Sequence, residues 1–209
     1  MPEGLSEKLR RELRDLKLVG DADIDTSDIP EVENWDRALR GRWAARNYEV
    51  LDFDIRGIAN EILKRAWNAG ASPTNMWLNK VTWFVYENAL LNLGKLLTSA
   101  RVEAWDHGPV FREIYGPSKV YRDEPIGALL KAFSKETQSF EDAIMPSDES
   151  VEKIIDDAIS KFASKTSSQL RAISHLEGSP WYHVWYSPQT NSAGMVISPD
   201  VIFAAYDRR

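Results

Sequence analysis

Residues 72–94 read SPTNMWLNKVTWFVYENALLNLG, and this stretch decides the fold. Ser72-Pro73 predicts an N-cap followed by proline at the first helical position, where the missing N–H has no intrahelical partner to lose. From there to Leu93, Met76, Trp77, Val81, Trp83, Phe84, Val85, Ala89, Leu90, Leu91 and Leu93 cover most of a helix's circumference. Gly94 supplies the stop. A helix apolar nearly all round is buried by its neighbours. The segment is expected to be the central helix, and the flanking sequence is read by what it can pack against it.

Upstream, Asp54 can cap a helix whose apolar positions Ile55, Ile58, Ala59, Ile62, Leu63, Ala66 and Trp67 keep a 3.6-residue period up to Gly70. Downstream, Gly108-Pro109 ends one element and opens the next, which Gly116-Pro117 interrupts. Residues 125–146 read as a short helix around Leu129, Leu130 and Phe133, followed by a polar connection. Ser147 is the expected cap of a helix with Val151, Ile154, Ile155, Ala158, Ile159 and Phe162 on one face. A short helix over 167–177 closes at Gly178. Ser179-Pro180 and Ser198-Pro199 then repeat the cap-then-proline start. Residues 191–197 are left for a small turn or strand, with a short β-hairpin in 183–197 as the variant. The expected fold class is all-α: one compact helical domain over residues 52–209, preceded by a charged helical or extended segment over residues 1–51.

That first segment differs in composition. Residues 1–50 hold 9 basic and 12 acidic side chains, a density well above the 28% charged residues of the whole chain. Leu5, Leu9, Leu13, Leu16 and Leu18 place one apolar stripe on a charged helix. An acidic strip follows, with Asp21, Asp23, Asp25, Asp28, Glu31, Glu33 and Asp36 and no basic residue. The sign then reverses through Arg37, Arg40, Arg42 and Arg46, set around Trp35, Leu39 and Trp43. Such a stretch is too poor in apolar residues to form a core of its own and is expected to dock on something else.

The 209 residues carry a formal charge of −6 and no cysteine. Disulfides, thiol catalysis and thiolate metal sites are thereby excluded. The acidic balance argues against a general nucleic-acid binder, which needs a clustered basic face. It leaves open a basic partner protein. No apolar run reaches the length of a membrane span and the N-terminus lacks a signal-peptide core, so the reading is a soluble, cytoplasmic protein without membrane partners. The three histidines, His107, His175 and His183, lack the helical spacing of a zinc site. Phosphate-binding glycine loops and the GxSxG elbow are absent. No metal, cofactor or catalytic group is assigned, and the protein is read as a non-enzyme.

Two polar-aromatic clusters remain: Ala104-Trp105-Asp106-His107-Gly108-Pro109-Val110, and Ser174-His175-Leu176-Glu177-Gly178-Ser179-Pro180-Trp181. Each reads as a buried corner with a hydrogen-bonded histidine, or jointly as the frame of a pocket or interface. The enzymatic alternative uses His107 and His175, with Asp106 and Glu177, as acid–base groups on a nucleotide-like ligand.

With Ile58-Ala59-Asn60 and Leu78-Asn79-Lys80-Val81, these clusters fall in one order that resembles the Panacea domain, the SocA-like and phage-associated GepA-like family of bacteria. The resemblance runs over about residues 55–205. Its carriers in the clusters are Trp105, His107, Gly108, Pro109 and Val110, then His175, Glu177, Pro180 and Trp181, as structural or interface positions. Asn79 and Val81 depart from the family pattern around Lys80.

The resemblance implies an antitoxin of a type II toxin–antitoxin pair that binds a cognate toxin acting on RNA, nucleotides or translation. It also implies, as the alternative, a proteolytic adaptor delivering toxin to an AAA+ protease. Residues 23–43 are similar to toxin-facing segments of other antitoxins. Together with the acidic strip that begins at Asp21, this makes Asp21, Asp23, Asp25, Asp28, Glu31, Glu33, Trp35, Asp36, Leu39, Arg40 and Trp43 the expected toxin contacts. The acids suit a cationic groove, and the two Trp are anchors of the kind that dominate interfaces. A further reading, operator DNA binding in autoregulation, uses Arg37–Arg46, but four Arg beside seven acids make a poor phosphate surface.

Overall fold

A computed structural model describes residues 48–187 and 195–207. The expected N-terminal helix, the acidic strip and the basic stretch to Arg46 lie outside the described residues.

The body begins with strand β1 (Glu49–Val50), then helix α1 (Ile55–Asn68). Asp54 caps α1 as its sequence predicts, accepting from the Arg56 amide at 2.9 Å. Helix α2 (Asn75–Asn88) continues through a π-helical turn (Ala89–Leu93) to Gly94. It is the central helix, with ten of its residues buried, and its Trp83 is 2% exposed. Its cap is Thr74, not Ser72: Thr74 Oγ1 accepts from the Trp77 amide at 3.3 Å. The Pro73 carbonyl is held by the Ile126 amide at 2.8 Å, which keeps Pro73 ahead of the cap rather than at the first helical position.

The described residues are mostly helical but not all-α, and the largest departure from the expected helices follows α2. Strand β2 (Lys95–Leu96) pairs in parallel with β1. Then β3 (Val102–Trp105) and β4 (Gly108–Phe111) form an antiparallel hairpin closed by the two-residue turn Asp106-His107. The Gly-Pro pair is thus a strand start and not a boundary between helices. Pro109 is accommodated because β4 is an edge strand, in the order β4-β3-β7 with β7 at Met195–Val196, where a missing N–H on the open side costs no ladder bond. Helix α3 (Arg112–Ser118) contains Pro117 rather than breaking at it. The carbonyl deprived of its partner four residues back belongs to Glu113, at an exposed position where water can replace the bond.

Residues 125–146, expected as a short helix around Leu129, Leu130 and Phe133 and a polar connection, contain the hairpin of β5 (Lys131–Ser134) and β6 (Ser139–Asp142). The reason is a distant partner. Buried Asn60 of α1 accepts from the Leu130 amide and donates to the carbonyls of Leu130 and Ala143, each at 2.8 Å, fastening both ends of the hairpin. Gly57, one turn earlier, lets the chain cross α1; a Cβ there would lie 2.5 Å from the Ile144 carbonyl.

Helix α4 (Glu149–Phe162) buries the predicted stripe, but its cap is Asp148 and not Ser147, whose hydroxyl goes instead to Glu152. Asp148 accepts from the amides of Ser150 and Val151 and pairs with Lys95 at 2.6 Å. Helix α5 (Ser167–Ser174), helix α6 (Pro180–Trp185), strand β7 (Met195–Val196) and helix α7 (Pro199–Tyr206) complete the body. Ser179 and Ser198 cap α6 and α7, with the following proline in the first turn, as expected. The strand expected in 191–197 is β7, which pairs with β3; residues 188–194, where the alternative hairpin in 183–197 would turn, lie outside the described residues.

Candidate functional site

The two clusters singled out in the sequence meet at one junction, and α2 supplies its third side. Asn79 and Lys80 interrupt the apolar surface of α2 and are both 1% exposed. Their polar ends reach the open edge of β4. Asn79 Oδ1 accepts from the Phe111 amide at 3.1 Å, and Lys80 Nζ donates to the Pro109 carbonyl at 2.8 Å. An unpaired strand edge buried against a helix needs such partners, since each orphaned backbone group would cost roughly 1–3 kcal/mol. Asn79 also donates to Asn75, whose Oδ1 accepts from Ser118 at 2.8 Å, so the buried polar set is closed.

The turn of the hairpin is gripped from the other side by α5 and α6. His175, capping α5, places Nε2 3.1 Å from the Asp106 carbonyl and Nδ1 2.7 Å from the Arg171 carbonyl. Trp181 Nε1 donates to the Trp105 carbonyl at 2.8 Å, and its ring lies against the His175 imidazole with 3.7 Å between centroids. Ser179 closes the bend between the helices by donating to the Ser174 carbonyl at 2.9 Å. Gly108 sits where these pieces converge, at φ +101°. A Cβ there would stand 2.7 Å from Ser174 Oγ and 2.8 Å from Lys80 Cε. Glycine is therefore required by both backbone angle and space.

Electrostatics follow from burial. The Lys80 ammonium is pushed down to about 7, first by burial and then by the nearby Arg171 guanidinium. Burial also lowers His175, with Arg171 and Lys80 adding to the effect and the two carbonyls opposing it. At the far end of the hairpin, burial opposes ionisation of Glu103, but hydrogen bonds from Arg112 at 2.6 Å and Trp105 at 2.8 Å hold it below the usual range.

The predicted site residues separate into two groups. Trp105, Gly108, Pro109, Val110, His175, Pro180 and Trp181 are brought together at the junction. His107 and Glu177 are exposed. His107 is not the buried histidine expected at this corner: it lies on the tip of the turn, 3.2 Å from the Asp106 carboxylate, because a two-residue hairpin loop leaves little to cover it. The expected toxin contacts from Asp21 to Trp43 lie outside the described residues. Sequence reading missed Asn79 and Lys80 as site residues, although two adjacent polar groups in an otherwise apolar helix were the available signal. Asn60 was likewise polar on an apolar face. No group of three or more His, Asp or Glu among the described residues is arranged to hold a metal ion. No helix among them is long and apolar enough to cross a membrane.

A cavity of about 370 Å³ opens beside the junction. Met76, Lys80, Trp105, Val110 and Tyr115 line it, with Lys119 and Arg122 among its charged residues.

Residues 78–182, half of the chain, match the family model described as "Antitoxin SocA-like, Panacea domain". The matched span contains the α2 residues, the hairpin and the α5–α6 bend. The chain is also similar to Antitoxin SocA of Caulobacter vibrioides (strain NA1000 / CB15N), 29% identical over 152 residues, which cover 71% of this chain and 80% of the relative. No solved structure matches.

Proposed function

Because the chain belongs to the family of SocA-like antitoxins with a Panacea domain, we propose that it is an antitoxin that binds a cognate toxin protein and neutralises it by direct contact. The observation that carries this reading is the family match across residues 78–182, the span whose motif residues form the α2–hairpin–α5 junction. The geometry favours binding over catalysis. Both ring nitrogens of His175 face backbone carbonyls, so neither is free to exchange a proton with a ligand. His107 stands in the open beside a single carboxylate.

The division of labour we propose follows the composition. Residues 52–209 form the common helical body, and residues 1–51 supply toxin contacts. A toxin that handles RNA or nucleotides presents a cationic surface. The acidic strip Asp21–Asp36 would neutralise it while Trp35, Leu39 and Trp43 anchor the flanking contacts. Both partners meet in the cytoplasm.

Co-expression with the toxin encoded beside the gene tests the reading by growth rescue and co-purification. The full chain rescues growth and retains the toxin at unchanged cellular level. Trp35→Ala combined with Trp43→Ala weakens co-purification by tenfold or more, as loss of about 1.4 kcal/mol or more at an interface hot spot requires. Full rescue by that double variant excludes the proposed contacts. A toxin level that falls on co-expression and recovers in a host lacking AAA+ proteases replaces occlusion by proteolytic delivery.

A further inference from the structure

The cavity beside Lys80 holds more than the protection of β4 requires. At about 370 Å³ it falls within the range of small-molecule sites. Its apolar wall is Met76, Val110 and the edge-to-face pair Trp105–Tyr115, whose ring centroids are 4.9 Å apart. Lys80, Lys119 and Arg122 bring three cations against the carboxylates of Asp106 and Asp123, and the Asp106 carboxylate faces the His107 ring.

Lys80 is the unusual member. Its side chain is 1% exposed, and among the described residues its single hydrogen-bond acceptor is the Pro109 carbonyl. None of the ion pairs among those residues includes it. An ammonium carries three donors, so two have no acceptor among the described residues. Packed around it are the cationic Arg171 and the His175 ring from α5, neither of which balances its charge. A cation taken out of water in this way is stabilised when a counter-charge is placed beside it.

We infer that this cavity binds a carboxylate carried on a short aromatic or apolar body, with the carboxylate on the Lys80 ammonium and the body against Trp105, Tyr115 and Met76. The charge count selects a monoanion. Three cations against the two exposed carboxylates Asp106 and Asp123 leave one positive charge, which a carboxylate balances and a phosphate dianion would exceed. Exposed Lys119 and Arg122 draw the anion inward. The acid can be a free metabolite or an acidic side chain of a docked chain, and the site stands independently of the antitoxin reading.

The test uses the full-length protein and two probes, phenylacetate for a free acid and the blocked dipeptide acetyl-Phe-Glu-amide for a side-chain carboxylate. Binding is followed by NMR on the Lys80 13Cε resonance, assigned by through-bond correlation in the parent protein and confirmed by its loss in Lys80→Met. Saturable binding is expected, weakening about tenfold per pH unit above the Lys80 midpoint as the ammonium is lost. The midpoint itself rises when the probe is bound. Lys80→Met loses tenfold or more in affinity, and Lys119→Gln, on the surface, loses a smaller factor. Tighter binding of phenylacetate assigns a free acid; tighter binding of the dipeptide assigns a docked side chain. Absence of saturable binding by both probes, or unchanged affinity in Lys80→Met, overturns the proposal. If Lys80→Met does not fold, the midpoint in the parent protein decides: one that stays put in saturating probe overturns it equally.

Discussion

Lys80 donates to the carbonyl of Pro109 across 2.8 Å, and through this bond the central helix closes the open edge of the three-stranded sheet. The neighbouring bond from the Phe111 amide to Asn79 does the same two residues further along β4. Two polar side chains in a buried helix thus substitute for the missing strand partner.

Asn79→Leu leaves the Phe111 amide without an acceptor and opens the Asn75–Ser118 set. A loss of about 3 kcal/mol is expected, larger than a typical core substitution because a buried N–H is orphaned. Urea denaturation measures it, and a change within 0.5 kcal/mol of the parent protein would contradict the edge-closing role.

Gly108→Ala places a methyl group 2.7 Å from Ser174 Oγ and 2.8 Å from Lys80 Cε, at a backbone angle that L-residues rarely adopt. Strain and contact together are expected to destabilise the fold by about 3 kcal/mol. Thermal melting checks this. Ala at exposed Gly116, with nothing within 4 Å of the added Cβ, serves as the control and is expected to change little.

Asn60→Ala removes one acceptor and two donor bonds at the base of the β5–β6 hairpin. The cost is about 3 kcal/mol. Its signature is local: the Leu130 amide exchanges with solvent faster than the amides of α2, as hydrogen exchange can resolve.

Stability should rise with pH above neutrality. Lys80 is held at about 7 in the folded chain against 10.5 as its ordinary value, so between those limits the unfolded chain binds more protons. Folding then gains up to about 1.4 kcal/mol per pH unit on going from pH 7 towards pH 10, and the gain is absent below pH 7. Denaturation midpoints across pH 7–9.5 measure the slope, and Lys80→Met is expected to flatten it.

Acid acts at a second place with the opposite kind of group. The Asp148 carboxyl is lowered to about 2 by the Lys95 and Ser150 hydrogen bonds. Its stabilisation is complete above about pH 3.8 and disappears as pH falls to about 2. Asp148→Ala removes the α4 cap at any pH above that window, for a loss of about 1–2 kcal/mol in guanidinium denaturation.

The sequence by itself determined the elements whose signals are local. The 3.6-residue stripes of α1 and α4, the all-round apolar α2, the Asp54 cap and the two Ser-Pro starts depend on neighbours within one or two helical turns. The motif clusters also carry the family resemblance in the sequence itself. Tertiary structure decided the conformation of 102–111 and 130–143, where a run of few residues is compatible with helix or strand. Asn79 and Lys80 from α2, and Asn60 from α1, supply the backbone partners that make hairpins the satisfied solution there. It also decided which histidine is enclosed. His175 and His107 flank the same Asp106, yet only His175 is packed between helix and turn. Periodicity records which residues seek burial, but not which distant hydrogen-bonding group will meet them there.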